Sequence, residues 1–177
     1  MKRLAMFVVP FLAVGALTSA AHADNCLAAK IQGKGTADMV ASADTFVPVN
    51  GLPSADLAYP INTEFKKNHF RIKAKVHADG SATGTARFVF GDEFSNVWGA
   101  YAMTLECEID TGAVSEDGTV VLQGSSFEED FDEFGNVIFE ELSPCEIIID
   151  PAGAFSLRWC AIPALNVGIT KGHLKVK

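Results

Sequence analysis

The sequence predicts an all-β fold: a single antiparallel β-barrel or β-sandwich of about 8–10 short strands, with little helix. Three observations lead there. Apolar residues recur with period two along much of the chain. No segment carries a sustained helical stripe, and Gly, Pro, Asn or Asp interrupts the apolar runs at short intervals.

The elements follow in order. Residues 41–60 contain three prolines and read as a loop with at most one short strand. HFRIKAKVH is the clearest strand: Phe70, Ile72, Ala74 and Val76 alternate with Arg71, Lys73, Lys75 and His77, giving one buried and one wet face. Ala78-Asp79-Gly80-Ser81 supplies a turn, and TGTARFVF returns beside it. In YAMTLECEI the residues Tyr101, Met103, Leu105, Cys107 and Ile109 share a face. GTVVLQG, VIFEEL, CEIII, AFSLRWC and GHLKVK read as further short strands. Asp150-Pro151-Ala152-Gly153 suits a type I turn followed by a left-handed glycine. That loop pairs Ile149 with Phe155, Ile147 with Leu157 and Cys145 with Trp159, bringing apolar faces into register.

The first residues read as an export signal. Lys2 and Arg3 precede an apolar stretch from Leu4 to Leu17, and Ala21-His22-Ala23 is a small-residue cleavage site. The stretch is too short to span a bilayer, so the expectation is a soluble periplasmic or secreted protein, cut near Ala23, without a transmembrane segment. Residues 24–177 then form one domain, long enough to bury about 70% of its unfolded surface. In that part, 12 basic side chains face 22 acidic ones, a net charge of −10 that argues against nucleic acid or an anionic membrane as partner. The charge is uneven: residues 24–90 hold eight Lys/Arg and six Asp/Glu, residues 91–177 four and sixteen. One sheet with a basic strand and several acidic strands would produce that split.

Cys26, Cys107, Cys145 and Cys160 all lie in the exported part, and an even count there suggests two disulfides. The register at Asp150–Gly153 puts Cys160 on the opposite face from Cys145. The preferred pairing is therefore Cys107–Cys145 and Cys26–Cys160. Zinc-site and redox spacings are absent.

The stretch richest in chemistry is FEEDFDEFGNVIFEE, residues 127–141, with seven carboxylates and four phenylalanines in fifteen residues. Asp130, Asp132, Gly135, Val137 and Glu141 match five positions of an EF-hand calcium loop, but Phe134 replaces an oxygen ligand and the flanks lack helix signals. A hairpin with Gly135-Asn136 as a II′ turn is the stronger reading. It sets Asp130 opposite Glu141 and puts Glu128, Asp130, Asp132 and Glu141 on one face. Like charges so opposed destabilise a strand pair, so this face needs solvent, a lysine such as Lys73 or Lys75, or a cation. Asp130, Asp132 and Glu141 are thus the candidate metal ligands, with Ca2+ the cation of choice. DEFSNVW at 92–98 echoes DEFGNVI at 132–138 without the flanking acids, which marks the shared element as a turn.

Motifs for catalysis are missing: GxSxG, HExxH, P-loop and GxGxxG do not occur. His69 and His77 lie eight residues apart on one strand, roughly 26 Å, too far to share a metal. His173 reads as an ordinary exposed residue. Trp98, Tyr101 and Trp159 could stack on a sugar, though aromatics on alternating strands are more often core.

GKG at 33–35, FRIKAKV, ADGSATG, CEI and VVLQG follow one another as in small β-domains of secreted bacterial proteins, and the middle of the chain resembles those domains. The resemblance covers about half the exported part and implies a fold and a compartment without an activity. The expected function is non-catalytic: binding or structural, with a protein, glycan or small apolar ligand as partner and no required cofactor. The alternatives are a calcium-dependent module built on 127–141 and a carboxylate-based hydrolase.

Overall fold

A computed structural model describes residues 26–41, 64–91, 100–159 and 165–177. They form eight strands: β1 (Leu27–Ala41), β2 (Glu64–His77), β3 (Ser81–Phe90), β4 (Ala102–Val114), β5 (Val120–Phe131), β6 (Val137–Ile149), β7 (Phe155–Trp159) and β8 (Leu165–Val176). Each pairs antiparallel with the next, and β8 returns to β1, so the sheet closes into an up-and-down barrel. Between barrel and sandwich, the barrel is the outcome. The leader at 1–23, Cys160, the 41–60 segment beyond Ala41, Trp98 and the 92–98 echo lie outside the described residues.

Most strands are longer than the short runs the punctuation suggested. VIFEEL and CEIII are one strand, β6, which runs straight through Ser143-Pro144. Pro144 lies one residue beyond Cys145–Trp159, the outermost β6–β7 pair among the described residues. GTVVLQG likewise continues as β5 to Phe131.

Period two builds the wall. Phe70, Ile72, Ala74 and Val76 point inward from β2 while Arg71, Lys73 and Lys75 point out. Met103, Leu105, Cys107 and Ile109 do the same on β4; Tyr101 precedes the strand and is exposed. Ile31, Leu122, Ile147, Leu157 and Trp159 complete a core of fully buried side chains. Over β1 to β4 the inward side chains are mostly apolar and the outward ones mostly polar or charged. No helix among the described residues is long and apolar enough to cross a membrane. At Gly124 a Cβ would lie 1.9 Å from the Glu108 carbonyl, so only glycine lets β5 approach β4 there.

The hairpin joining β6 and β7 has the expected form. Asp150 N–H donates to the Ala154 carbonyl at 2.9 Å, Gly153 stands at φ +91°, and the register pairs Ile149 with Phe155, Ile147 with Leu157 and Cys145 with Trp159. The acidic hairpin corrects the II′ expectation. Asp132 N–H donates to the Asn136 carbonyl at 2.9 Å and Gly135 N–H to the Asp132 carbonyl at 3.0 Å, with Gly135 at φ +81°. This is the same three-residue loop as at Asp150–Ala154, with the glycine at the left-handed position after a type I turn.

Candidate functional site

The altered turn changes which carboxylates meet. A register shift between Asp130 and Phe131 sets Glu128 opposite Glu141 and Asp130 opposite Phe139. The expected Asp130–Glu141 pair is thus corrected by one rung. The expected face is corrected as well. Glu128 and Asp130 project inward from β5, only 6% and 5% exposed, above Ser126 on the same strand face. Glu141, on the inward side of β6, is half-buried. Lys73 and Lys75, the suggested counter-charges, point away on the outer wall of β2.

A neutral donor takes their place for Glu128. Trp159 is fully buried on β7, packs against Phe90 with ring centroids 5.3 Å apart, and its indole N–H donates to Glu128 Oε2 at 2.6 Å. Burial pushes the Glu128 carboxyl up to about 7; Asp130 and Glu141 add to the rise by repulsion, while the Trp159 bond opposes it. Burial raises Asp130 too. Asp130 Oδ1 is buried and has no hydrogen-bond partner among the described residues. Ser126 and Ser143 satisfy each other one rung below, with Ser126 Oγ 3.1 Å from the Ser143 carbonyl and 3.0 Å from its Oγ. The interior at this end therefore presents a carboxyl poised near neutrality beside one with an open acceptor.

Asp132 belongs elsewhere. Its carboxylate accepts N–H bonds from Phe134 at 2.9 Å and Asn136 at 2.8 Å, and from the Asn136 side-chain amide at 2.8 Å. Those bonds hold its pKa low, the signature of a turn carboxylate. Of the three candidate ligands, the fold brings Asp130 and Glu141 to the interior side and leaves Asp132 in the turn. Among the described residues, no group of three or more His, Cys, Asp or Glu is gathered closely enough to hold a metal ion. The member that sequence reasoning missed is Trp159: its inward register beside Cys145 was legible, but its reach across β6 to Glu128 depends on barrel closure.

The cysteines separate contact from bond. Cys107 and Cys145 both face the interior as buried thiols, and Cys26 is an exposed free thiol. Hydrogen bonding to Cys145, then burial, raises the Cys107 thiol pKa. The expected Cys107–Cys145 disulfide is not at bonding distance. Cys107 pairs with Ser126 and Cys145 with Gly124, so the two flank β5 on different rungs. The two thiols approach each other across β5 closely enough to hydrogen-bond but are not joined covalently. Of the three aromatics considered as a stacking platform, Trp159 is buried in the core, Tyr101 is exposed just before β4, and Trp98 lies outside the described residues.

Around this end the outside of the barrel carries exposed apolar side chains: Phe134 (80% exposed), Leu142 (74%), Ile138 and Val137. They belong to β6 and its turn, beside the buried acids. Comparison with protein-family models, curated proteins and solved structures found no match.

Proposed function

We propose that the protein is an exported, non-catalytic binding module that receives a cationic or N–H-rich group of its ligand at the β5–β6 end of the barrel. One observation carries this reading: among the described residues Asp130 Oδ1 is buried without a donor, beside a Glu128 that already has one. A buried acceptor left unpaired costs about 1–3 kcal/mol, which a ligand donor would recover. The apolar side chains of Phe134 and Leu142 outside offer contact to the rest of such a ligand. Thermal denaturation with millimolar cadaverine, spermidine or calcium tests it. The midpoint rises with the amines, and the rise is lost in Asp130→Asn. No shift with any amine would sink the proposal, and a shift with calcium alone would favour the calcium-dependent module.

A second reading rests on Glu128. A carboxyl near 7 beside another carboxyl is the arrangement an acid–base hydrolase uses on glycosides. Hydrolysis of a panel of nitrophenyl glycosides, with a pH optimum near neutrality that Glu128→Gln abolishes, would establish it; inactivity across the panel would leave binding as the function.

A further inference from the structure

The outer wall opposite the acidic hairpin has its own chemistry. Registers across β8, β1 and β2 stack the outward side chains into rows. Lys30 pairs with Lys75, and its N–H donates to the Lys177 carbonyl at 2.8 Å, making a row of three lysines. In the next row Gln32 lies between Lys175 and Lys73. Above it Lys34 lies between His173 and Arg71, and Arg71 in turn faces Arg87 of β3. These side chains are exposed. With Lys171, nine of the chain's fourteen Lys and Arg residues stand on this wall of an otherwise acidic protein.

No Asp or Glu side chain interrupts the rows on β1, β2 and β8; Glu106 of β4 borders them, ion-paired with Arg87. Residues 27–37 of β1, 65–77 of β2 and all of β8 contain no Asp or Glu. The ion pairs among the described residues are Lys66–Glu64, Arg87–Glu106 and Arg158–Glu146, so none of the lysines in these rows is neutralised by one. Like charges directly opposed on neighbouring strands destabilise the sheet. The arrangement therefore spends stability on a field, and an anionic partner is what would recover it.

We propose that this wall binds an anionic polysaccharide, one carrying carboxylate, sulfate or phosphate groups. Row spacing along a strand is ~6.7 Å and spacing between strands ~4.8 Å, a lattice on the scale of successive charged sugar units. Between β1 and β8 the wall is also concave, with a cleft of about 200 Å³ lined by Lys30, Gln32, His173, Lys175 and Lys177. Such a cleft admits a single sugar ring bearing one charge, while Gln32 and His173 offer hydrogen bonds to its hydroxyls. The rows of Lys30, Gln32 and Lys34 hold no Phe, Tyr or Trp to serve as a stacking platform for successive bases and no apolar wedge for a bilayer. This binding is independent of the β5–β6 end, and its test leaves that end intact.

The experiment is isothermal titration of the full chain with a heparin octasaccharide, at 50 and 200 mM NaCl, alongside the double variant Lys30→Gln/Lys175→Gln and the control Lys66→Gln. Affinity falls at least tenfold in the double variant and at least tenfold with the added salt, while Lys66→Gln changes it less than twofold. An unchanged thermal midpoint certifies that the variants fold, and both substitutions lie on the exposed wall. Absence of binding at 50 mM salt, or equal binding by the double variant, would overturn the proposal. So would equal or tighter binding to single-stranded DNA or phosphatidylglycerol vesicles, or charge-dependent self-association without heparin binding.

Discussion

The two halves of β5 make the same fold serve opposite purposes. From Val120 to Leu122 its inward side chains are aliphatic and fully buried against Ile147 and Ile149 of β6. From Ser126 to Asp130 they are hydroxyl and carboxyl, and the opposing β6 residues are Ser143, Glu141 and Phe139. Both halves obey the same alternation and lie on the same ladder. The difference teaches that period two decides only which side chains enter the barrel. Their chemistry decides whether that interior is a core or a site.

The comparison can be broken most strongly from the apolar half. Leu122→Ala should lower unfolding free energy by about 2–5 kcal/mol in urea titration, because the closed interior cannot collapse around the hole. At the polar end the effect depends on pH. Glu128 sits near 7 in the folded barrel against 4.5 for an ordinary Glu, so the folded state binds the extra proton between those values. Stability contributed by that proton is present below about 4.5 and is lost as pH rises through about 7, by no more than about 3 kcal/mol. Glu128→Gln should therefore flatten the decline between pH 5 and 8 and stabilise the protein at pH 8. A decline that persists unchanged in this variant would assign the titration to another group.

Smaller changes sharpen the picture. Ser126→Ala at the border of the halves should cost about 1 kcal/mol, since it removes a buried hydroxyl that bonds Ser143. The three-residue hairpin loops at Asp132–Asn136 and Asp150–Ala154 allow an internal control. Gly135→Ala should cost about 1 kcal/mol for its positive φ, with open space around the new methyl. Gly153→Ala should cost more, because its Cβ would lie 3.1 Å from the Leu174 carbonyl. Leu142→Ser, on the outer wall, should leave stability within about 0.5 kcal/mol.

Local pattern carried most of the fold. The alternation in HFRIKAKVH and the turn at Asp150–Gly153 were readable because each depends on a few adjacent residues. The acidic hairpin was misread by one rung because Gly135 serves a type I turn plus left-handed glycine as readily as a II′ turn; hydrogen bonds to Asp132 select between them. The inward aim of Glu128 and Asp130 was not legible for a related reason. Carboxylates normally mark the wet face, and only the continuity of β5 with Val120 and Leu122 overrides that preference. The Trp159–Glu128 bond spans an intervening strand, and no local pattern encodes it. The cationic wall was legible only in part, as the wet face of HFRIKAKVH and a charge imbalance along the chain, because β8, which supplies its third strand, is far from β1 and β2 in sequence.

Closure of the barrel by β1 and β8 also bears on how the protein comes into being. Among the described strands β1 comes first in the chain and one of its two partners, β8, comes last, so the β1 edge stays open until β8 is in place. Lys30 and Lys34 on that edge are the kind of charge that opposes edge-to-edge pairing with another chain. The seam that finishes the barrel is thus also the one most in need of protection before it is finished.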